Sequence, residues 1–490
     1  MFHHKMDLPS EYMVYHQAAK LARVTPIIYD SCINSCILYA AEYRDLPLCP
    51  FCNEARFKPN GKPRRRFNYF PLIPCLQGFF QSVERVQLME YQSKFKSSAD
   101  QISDIFDAVH YQKLLGEHVV VDGKELPHRY FNDSRDIALA LSTDSYVLYK
   151  RRCGPVATPI LLMNYNIPPH LRTHQEHVIY IRIIPGPHQP KNLASFLSPL
   201  DDELTQLAFG IPTFGASHAT IFNLRAYVLF KLGDIIAIQK FLNIKGHNSI
   251  FPYWSCKIKA VRGLGKTHYI PLRPPRGQSR EGALTRKADE LPAQTHLDFV
   301  NTLEQIHDAP SKVAKERIAK QTGIRELPGL RRVGSLDYTR CAPWEWFHLL
   351  LENVIPNLVD LWTGQFKGLD IGNGEFRIVP HIWEIIGDET TAAVQDIPAT
   401  FVRVLGNITM NCSLFTAESW CFWFVYLAPF LLENRFPKKK YYTHMQELSN
   451  IMKVTLQFRV TAEEVDDIEE RLCKWVEKYE KYVLARYCIC

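Results

Sequence analysis

The stretch SRDIALALSTDSYVLY, Ser134–Tyr149, decides the reading of the fold. Its residues alternate with a period of two. Ile137, Leu139, Leu141 and Thr143 fall on one face, and Ala138, Ala140, Ser142 and Asp144 on the other. Successive side chains point to opposite sides of a strand, so the spacing predicts a strand. Asp144 ends it, on the face of small residues. Downstream, TPILLMNYNIPP (158–169) and HVIYIRIIPGP (177–187) read as two further strands rich in Ile and Val. PKNLASFLSPLDDELTQLAFG (190–210) reads as a helix, IFNLRAYVLFKLGD (221–234) as one strand ending at Asp234, and IIAIQKFLN (235–243) as a helix. Strands first, then helix–strand–helix, is a mixed α/β order.

A chain of 490 residues is long enough for about three domains. A hydrophobic fraction of 46% with 28 Phe, 23 Tyr and 8 Trp supplies sizeable cores. The net charge of +7 is compatible with a polyanionic partner without demanding one. The start, MFHHKMDLPSEYM, has no apolar run, which argues against a secretory signal. WCFWFVYLAPFLL (Trp420–Leu432) is the longest apolar block, at 13 residues. A membrane span needs about 20, so a core helix and no membrane are expected. Thirteen cysteines without a signal point to a reducing compartment.

Clustered cysteines there suggest metal ligands before disulfides. CINSC supplies Cys32 and Cys36, and CPFC supplies Cys49 and Cys52, with 12 residues between Cys36 and Cys49. Two close pairs joined by a loop suit tetrahedral Zn²⁺, and four thiolates leave no open position, so the site would be structural. Ordinary buried cysteines are the alternative. Beyond them, Arg64, Arg65 and Arg66 could touch phosphate, serve as a nuclear signal, or lie in a solvated linker.

Three acids stand out. Asp144 and Asp234 end strands, where carboxylates can converge on a metal. Asp144 could instead be a turn residue, and Asp234 could cap the helix that follows. The third, Glu352, lies in WFHLLLENVIPNL (346–358) among Leu, Val and Ile. A carboxylate in apolar surroundings is costly unless paired, protonated or metal-bound. Pro356 would clash with the carbonyl of residue 352 and kink that helix. His348, one turn before, could orient Glu352, though a plain helix-surface histidine is the simpler reading. Glu352 could itself lie at the helix surface or pair with a base.

The ordered blocks DIALALSTDSY, NYNIPPHLR, IIPGPHQPKNLASFLSPLDDEL, FNLRAYVLFKLGDIIAI, KGHNSIFPYWSCKI, HYIPL, FHLLLENVIPNLVDLWTG and FTAESWCFWFVYLAPFLLENRF resemble the transposases of CACTA-type (En/Spm-like) DNA transposons, the fungal branch in particular. CINSC…CPFC…ARF fits the cysteine block that precedes their catalytic region. The resemblance spans about Asp30 to Leu448. It implies an RNase H-like core in which three acids hold two Mg²⁺ or Mn²⁺ ions. Carried over by position, these are Asp144, Asp234 and Glu352, with Glu345 and Glu418 as fallbacks for the third. It further implies cut-and-paste strand cleavage and transfer on DNA, both transposon ends and target, a nuclear location, and a homo-oligomer as an open possibility.

Two positions depart from the pattern. Tyr253 stands where the family has the first cysteine of a Cys-x-x-Cys pair and only Cys256 remains, so Gly246–Gln294 is expected to lack a complete zinc site. Ser145 stands where Gly is common. A degenerate copy would show such changes.

The expected architecture is therefore α/β, in four parts. A cysteine-rich zinc module (25–66) is followed by a helical region (67–118). An RNase H-like mixed-sheet core (119–365) carries a long insertion at about 245–340. An α-rich region (366–490) follows. Within the insertion, residues 262–295 hold seven Lys/Arg against three Asp/Glu and read as an exposed basic loop that could follow a DNA backbone. In the last helix, Ile468, Leu472, Trp475 and Val476 share a face. A catalytically inactive DNA-binding derivative and a zinc-dependent interaction module are the competing functions.

Overall fold

The computed structural model describes residues 24–147, 156–262, 268–272, 286–366, 374–395, 397–398, 401–402 and 405–482. Ile137–Ser142 forms strand β1. Ile137, Ala138, Leu139, Ala140 and Leu141 are all fully buried. The alternation is thus large against small, not inside against outside. The strand is central, with both faces covered, and its small face lets neighbouring elements approach closely.

After a break at Thr143–Ser145 the chain continues as β2 (Tyr146–Val147). Both pieces pair antiparallel with β3 (Val156–Asn164). Ser142 stands opposite Leu161, and Tyr146 opposite Ala157, so the register does not change across the break. That register puts Pro159 opposite Asp144, and proline has no N–H for a ladder bond. The gap is bridged instead by the hydroxyls of Ser145 and Thr158, 2.7 Å apart.

On its far side β3 pairs with antiparallel β4 (Ile179–Pro185). The long helix α1 (Leu193–Phe209) follows. Next, β5 (Ala226–Leu232) lies beside β1 and runs parallel to it, Ala226 opposite Ile137 and Leu232 opposite Ser142, with a bulge between Val228 and Phe230. The order across the sheet is β5, β1 with β2, β3, β4. The expected single strand over 221–234 is two. Thr220–Leu224 pairs in a hairpin with Ile211–Gly215, and the chain turns at Arg225 before β5. Helix α2 (Ile235–Phe241) starts directly after.

The free edge of β5 is covered by an irregular segment. The Ser335 hydroxyl donates to the Val228 carbonyl at 2.8 Å, and the Lys231 N–H to the Cys341 carbonyl at 2.7 Å. One buried core runs from Leu38 to Ala342 and includes the sheet, α1 and the helices of 72–116. Within it, buried Glu203 of α1 accepts the N–H groups of Leu72 (2.7 Å) and Ile73 (2.9 Å), capping the start of Leu72–Phe79.

Asp136, just before β1, is fully buried, with one oxygen unpartnered and the Arg225 guanidinium 3.9 Å away. Burial raises its pKa to about 7, outweighing the Asp133 amide and the Arg225 charge. A carboxyl raised in the fold destabilises it progressively as pH climbs from the unfolded value to the folded one. Asp136→Asn therefore gains stability over the unsubstituted chain between pH 4 and about 7, by up to about 1.4 kcal/mol per pH unit. Thermal denaturation across that range checks this; a difference independent of pH would refute it.

A second core gathers helices from Leu351 onward, including Pro380–Gln395, Lys439–Thr455 and Ala462–Tyr482. Two π-helical turns occur in it, Phe347–Val354 leading into Ile355–Thr363 and Trp423–Leu427 continuing from Ala417–Phe422. Each precedes a proline by two residues, Pro356 and Pro429. Proline cannot donate to the carbonyl four residues back, and the wider turn takes up the misfit. Trp423, Phe424, Val425, Ala428 and Leu432 of the long apolar block are buried in this core, and among the described residues no helix is long and apolar enough to cross a membrane. In the last helix Trp475 stacks on His444 at 4.5 Å, whereas Val476 is exposed.

Candidate active site and cysteine cluster

Parallel pairing of β1 and β5 brings two strand ends side by side. Asp144 follows β1 and Asp234 follows β5, each two residues past the paired Ser142 and Leu232. Both line one cleft of about 130 Å³, together with Thr143, Ser145, Gln189, Pro190 and Lys240. Asp144 Oδ1 accepts its neighbour's N–H (Ser145, 2.7 Å), and Asp234 Oδ1 caps α2 through Ala237 N–H (2.6 Å). The turn and capping roles are thus real, but each engages one oxygen and leaves the second for the cleft.

Gly233 makes the turn that presents Asp234. Its φ of +147° disfavours L side chains, and a Cβ there would lie 2.9 Å from Ala237 Cβ. Gly233→Ala is expected to cost roughly 1–3 kcal/mol and to displace Asp234. A lower Tm would bear this out, and an unchanged Tm would not.

Beneath the acids lies Lys231, fully buried, its Nζ donating to the Leu232 carbonyl. Burial pushes its pKa down to about 7, against the opposing charges of Asp144, Asp234 and the Cys341 thiol. Lys240 is half-buried at the cleft wall and donates to Gln189 Oε1. Sequence reasoning missed both lysines. The lone Lys in the apolar run AYVLFKLGD was the available signal for Lys231.

Glu352 is not buried. It faces solvent, while Leu351, Ile355, Leu358 and Val359 form the inward face of its helix. The apparent burial arose from counting neighbours in sequence, and the helix turns Glu352 away from them. Nor is His348 a plain surface residue. It is half-buried between Glu345, bonded to its Nδ1, and Glu352, whose Oε2 is 3.8 Å from Nε2. Burial lowers its pKa, but Glu345, Glu352 and the charge of Asp234 together raise it. Glu345 also accepts the N–H groups of Phe347 (2.8 Å) and His348 (2.7 Å). Glu418 is exposed in the first turn of Ala417–Phe422. Among the described residues no three carboxylates come within 4.8 Å of one another.

The four cysteines do come together. Ligand atoms of Cys32, Cys36, Cys49 and Cys52 all lie within 4.8 Å of one another, with Cys32 Sγ 3.4 Å from Cys52 Sγ. Each pair sits on a tight turn. Cys32 N–H bonds the Ile37 carbonyl at 3.0 Å, and Cys49 N–H the Glu54 carbonyl at 2.9 Å. Four convergent sulfurs could bind a Zn²⁺ ion. Burial alone would raise the pKa of the Cys52 thiol, but the Glu54 amide and the Cys32 thiol bring it down to about 7.

Arg65 donates to the carbonyls of Ile33 (2.8 Å) and Pro185 (3.0 Å), and Arg64 pairs with Glu54, so neither lies in a loose linker. Arg66 is exposed on the strand Arg66–Tyr69. Tyr253 meets Trp344 edge-on at 5.1 Å, and Cys256 bridges to Ala293. Most of the basic stretch in 262–295 lies outside the described residues.

Residues 122–270 match the family model of transposase family tnp2. This supports a transposase family for the chain. The matched span contains Asp144, Asp234, Lys231 and Lys240, and ends before Glu345 and Glu352. No curated protein matches the chain.

Proposed function

We propose that this chain is a DNA transposase that cleaves DNA strands at a divalent-metal site built on Asp144 and Asp234, of the CACTA-type, fungal, cut-and-paste kind. The observation that carries the reading is the shared cleft of the two carboxylates at adjacent parallel strand ends, within the span matching a transposase family. An antiparallel run β1–β3–β4 with β5 parallel on the other side of β1 supports an RNase H-like core. Each aspartate keeps one oxygen uncommitted to backbone, and hard cations such as Mg²⁺ or Mn²⁺ take oxygen donors. Such ions would supply an activated water or 3′ hydroxyl and stabilise the leaving oxygen.

The third acid is assigned to Glu352, because Glu345 already caps its own helix, while among the described residues Glu352 pairs with His348. DNA is the substrate, transposon ends and target alike, and the nucleus the site of action. The catalytic region is taken as 119–365.

A nicking assay on duplex DNA carrying the ends of the parent element tests this. Cleavage that requires Mg²⁺ or Mn²⁺ and stops with chelator is expected. Salt-sensitive DNA binding without any nicking would favour the inactive, DNA-binding derivative. Absence of salt-dependent binding would favour a zinc-dependent interaction module.

A further inference from the structure

We infer that Lys240 is the cleft's phosphate-binding residue, contacting a phosphodiester oxygen beside the cation held by Asp144 and Asp234; this rests on the cleavage reading above. Asp234 caps α2 at its start, and Lys240 lies near the end of the same helix. Both side chains border the cleft with Asp144. Lys240 Nζ is held by the neutral amide oxygen of Gln189, and among the described residues it forms no ion pair with either acid. Burial pushes its pKa down, while the charges of Asp234 and Asp144 hold it up.

An ammonium parked on a neutral acceptor keeps its charge uncommitted, with two of its three donors still available. The cleft therefore offers carboxylate oxygens for a cation and an ammonium for an anion in about 130 Å³. A water occupies about 30 Å³ of liquid, so a phosphate oxygen with its ion fits. Lys231 cannot share this role, because it is sealed beneath the strand ends.

The test uses the full chain, a labelled DNA duplex and Ca²⁺, which occupies oxygen sites. Lys240→Gln should reduce the slope of log affinity against log salt by about 1, the contribution of one phosphate contact. Lys240→Arg should restore it. Ca²⁺ affinity, measured by calorimetry without DNA, should not fall in Lys240→Gln. An unchanged salt slope overturns the assignment. So does a parallel loss of Ca²⁺ affinity, which would make Lys240 a support of the cleft wall. If Asp144→Asn loses Ca²⁺ binding while Lys240→Gln behaves like the unsubstituted chain, the metal-site reading stands and the Lys240 assignment fails alone. If the unsubstituted chain binds no Ca²⁺ at the acids, both fail.

Discussion

Asp144→Asn is expected to abolish Mg²⁺-dependent strand cleavage while leaving most DNA affinity intact. The amide keeps the size of the side chain and its acceptor for the Ser145 N–H (2.7 Å). It removes the charge that the cleft presents beside Asp234. Loss of one group that stabilises transition-state charge typically costs on the order of 10²–10³-fold in rate, and a lost metal ligand should reach at least that. Affinity for DNA should survive, since it is spread over many phosphate contacts. Asp234→Asn should behave alike, with some added instability from weakened capping of α2. Cleavage that persists in Asp144→Asn would reject the active-site assignment. Persistence in Glu352→Gln alone would only move the third acid to Glu345 or Glu418.

Replacing Cys49 with Ser is expected to abolish Zn²⁺ binding at the four-cysteine cluster and to loosen the wall of the acidic cleft. Structural zinc contributes on the order of 10 kcal/mol of binding free energy in small modules, more than the cysteine turns can supply themselves. The coupling runs through Cys36, whose carbonyl accepts the N–H groups of Lys191 (3.1 Å) and Asn192 (3.0 Å). Those residues directly follow Gln189 and Pro190 of the cleft wall. The Leu38 N–H also bonds the Ser195 hydroxyl at 3.0 Å, tying the module to the first turn of α1. Hydrogen exchange at the amides of Lys191 and Asn192 should quicken when zinc is chelated, and metal analysis should find about one zinc per intact chain. A Cys49→Ser variant that retains a full equivalent, or amides indifferent to chelation, would contradict this. Two tightly held ions would mean that the segment around Tyr253 and Cys256 binds metal after all.

Local signals carried much of this. The period of two in Ile137–Thr143, the apolar run Ile160–Met163, the β-branched run 178–184 and the cysteine pairs each encode a short-range geometry that neighbouring residues complete. So β1, β3, β4, α1, α2 and the two cysteine turns could be read from residues alone, whereas the two strands within 221–234 read as one. Glu352 could not, because a helix separates sequence neighbours by 100° and only packing decides which face is buried; the core took Leu351 and Ile355 and left Glu352 to solvent. Whether Ala138 and Ala140 faced solvent or a second layer was likewise undecided until α1 and the helices of 72–116 joined the same core.

The pairing of Asp144 with Asp234 belongs wholly to tertiary structure. They lie 90 positions apart in the chain, and no local preference fixes a parallel register, since its hydrogen bonds form only after the intervening strands and α1 have folded back. Residue types and spacings therefore set which elements form and which side chains could do chemistry. The packing of β5 against β1 decided that two of those carboxylates, with Lys240 beside them and Lys231 below, share one cleft, because only close packing can hold like charges together with their counter-charges at a common strand end.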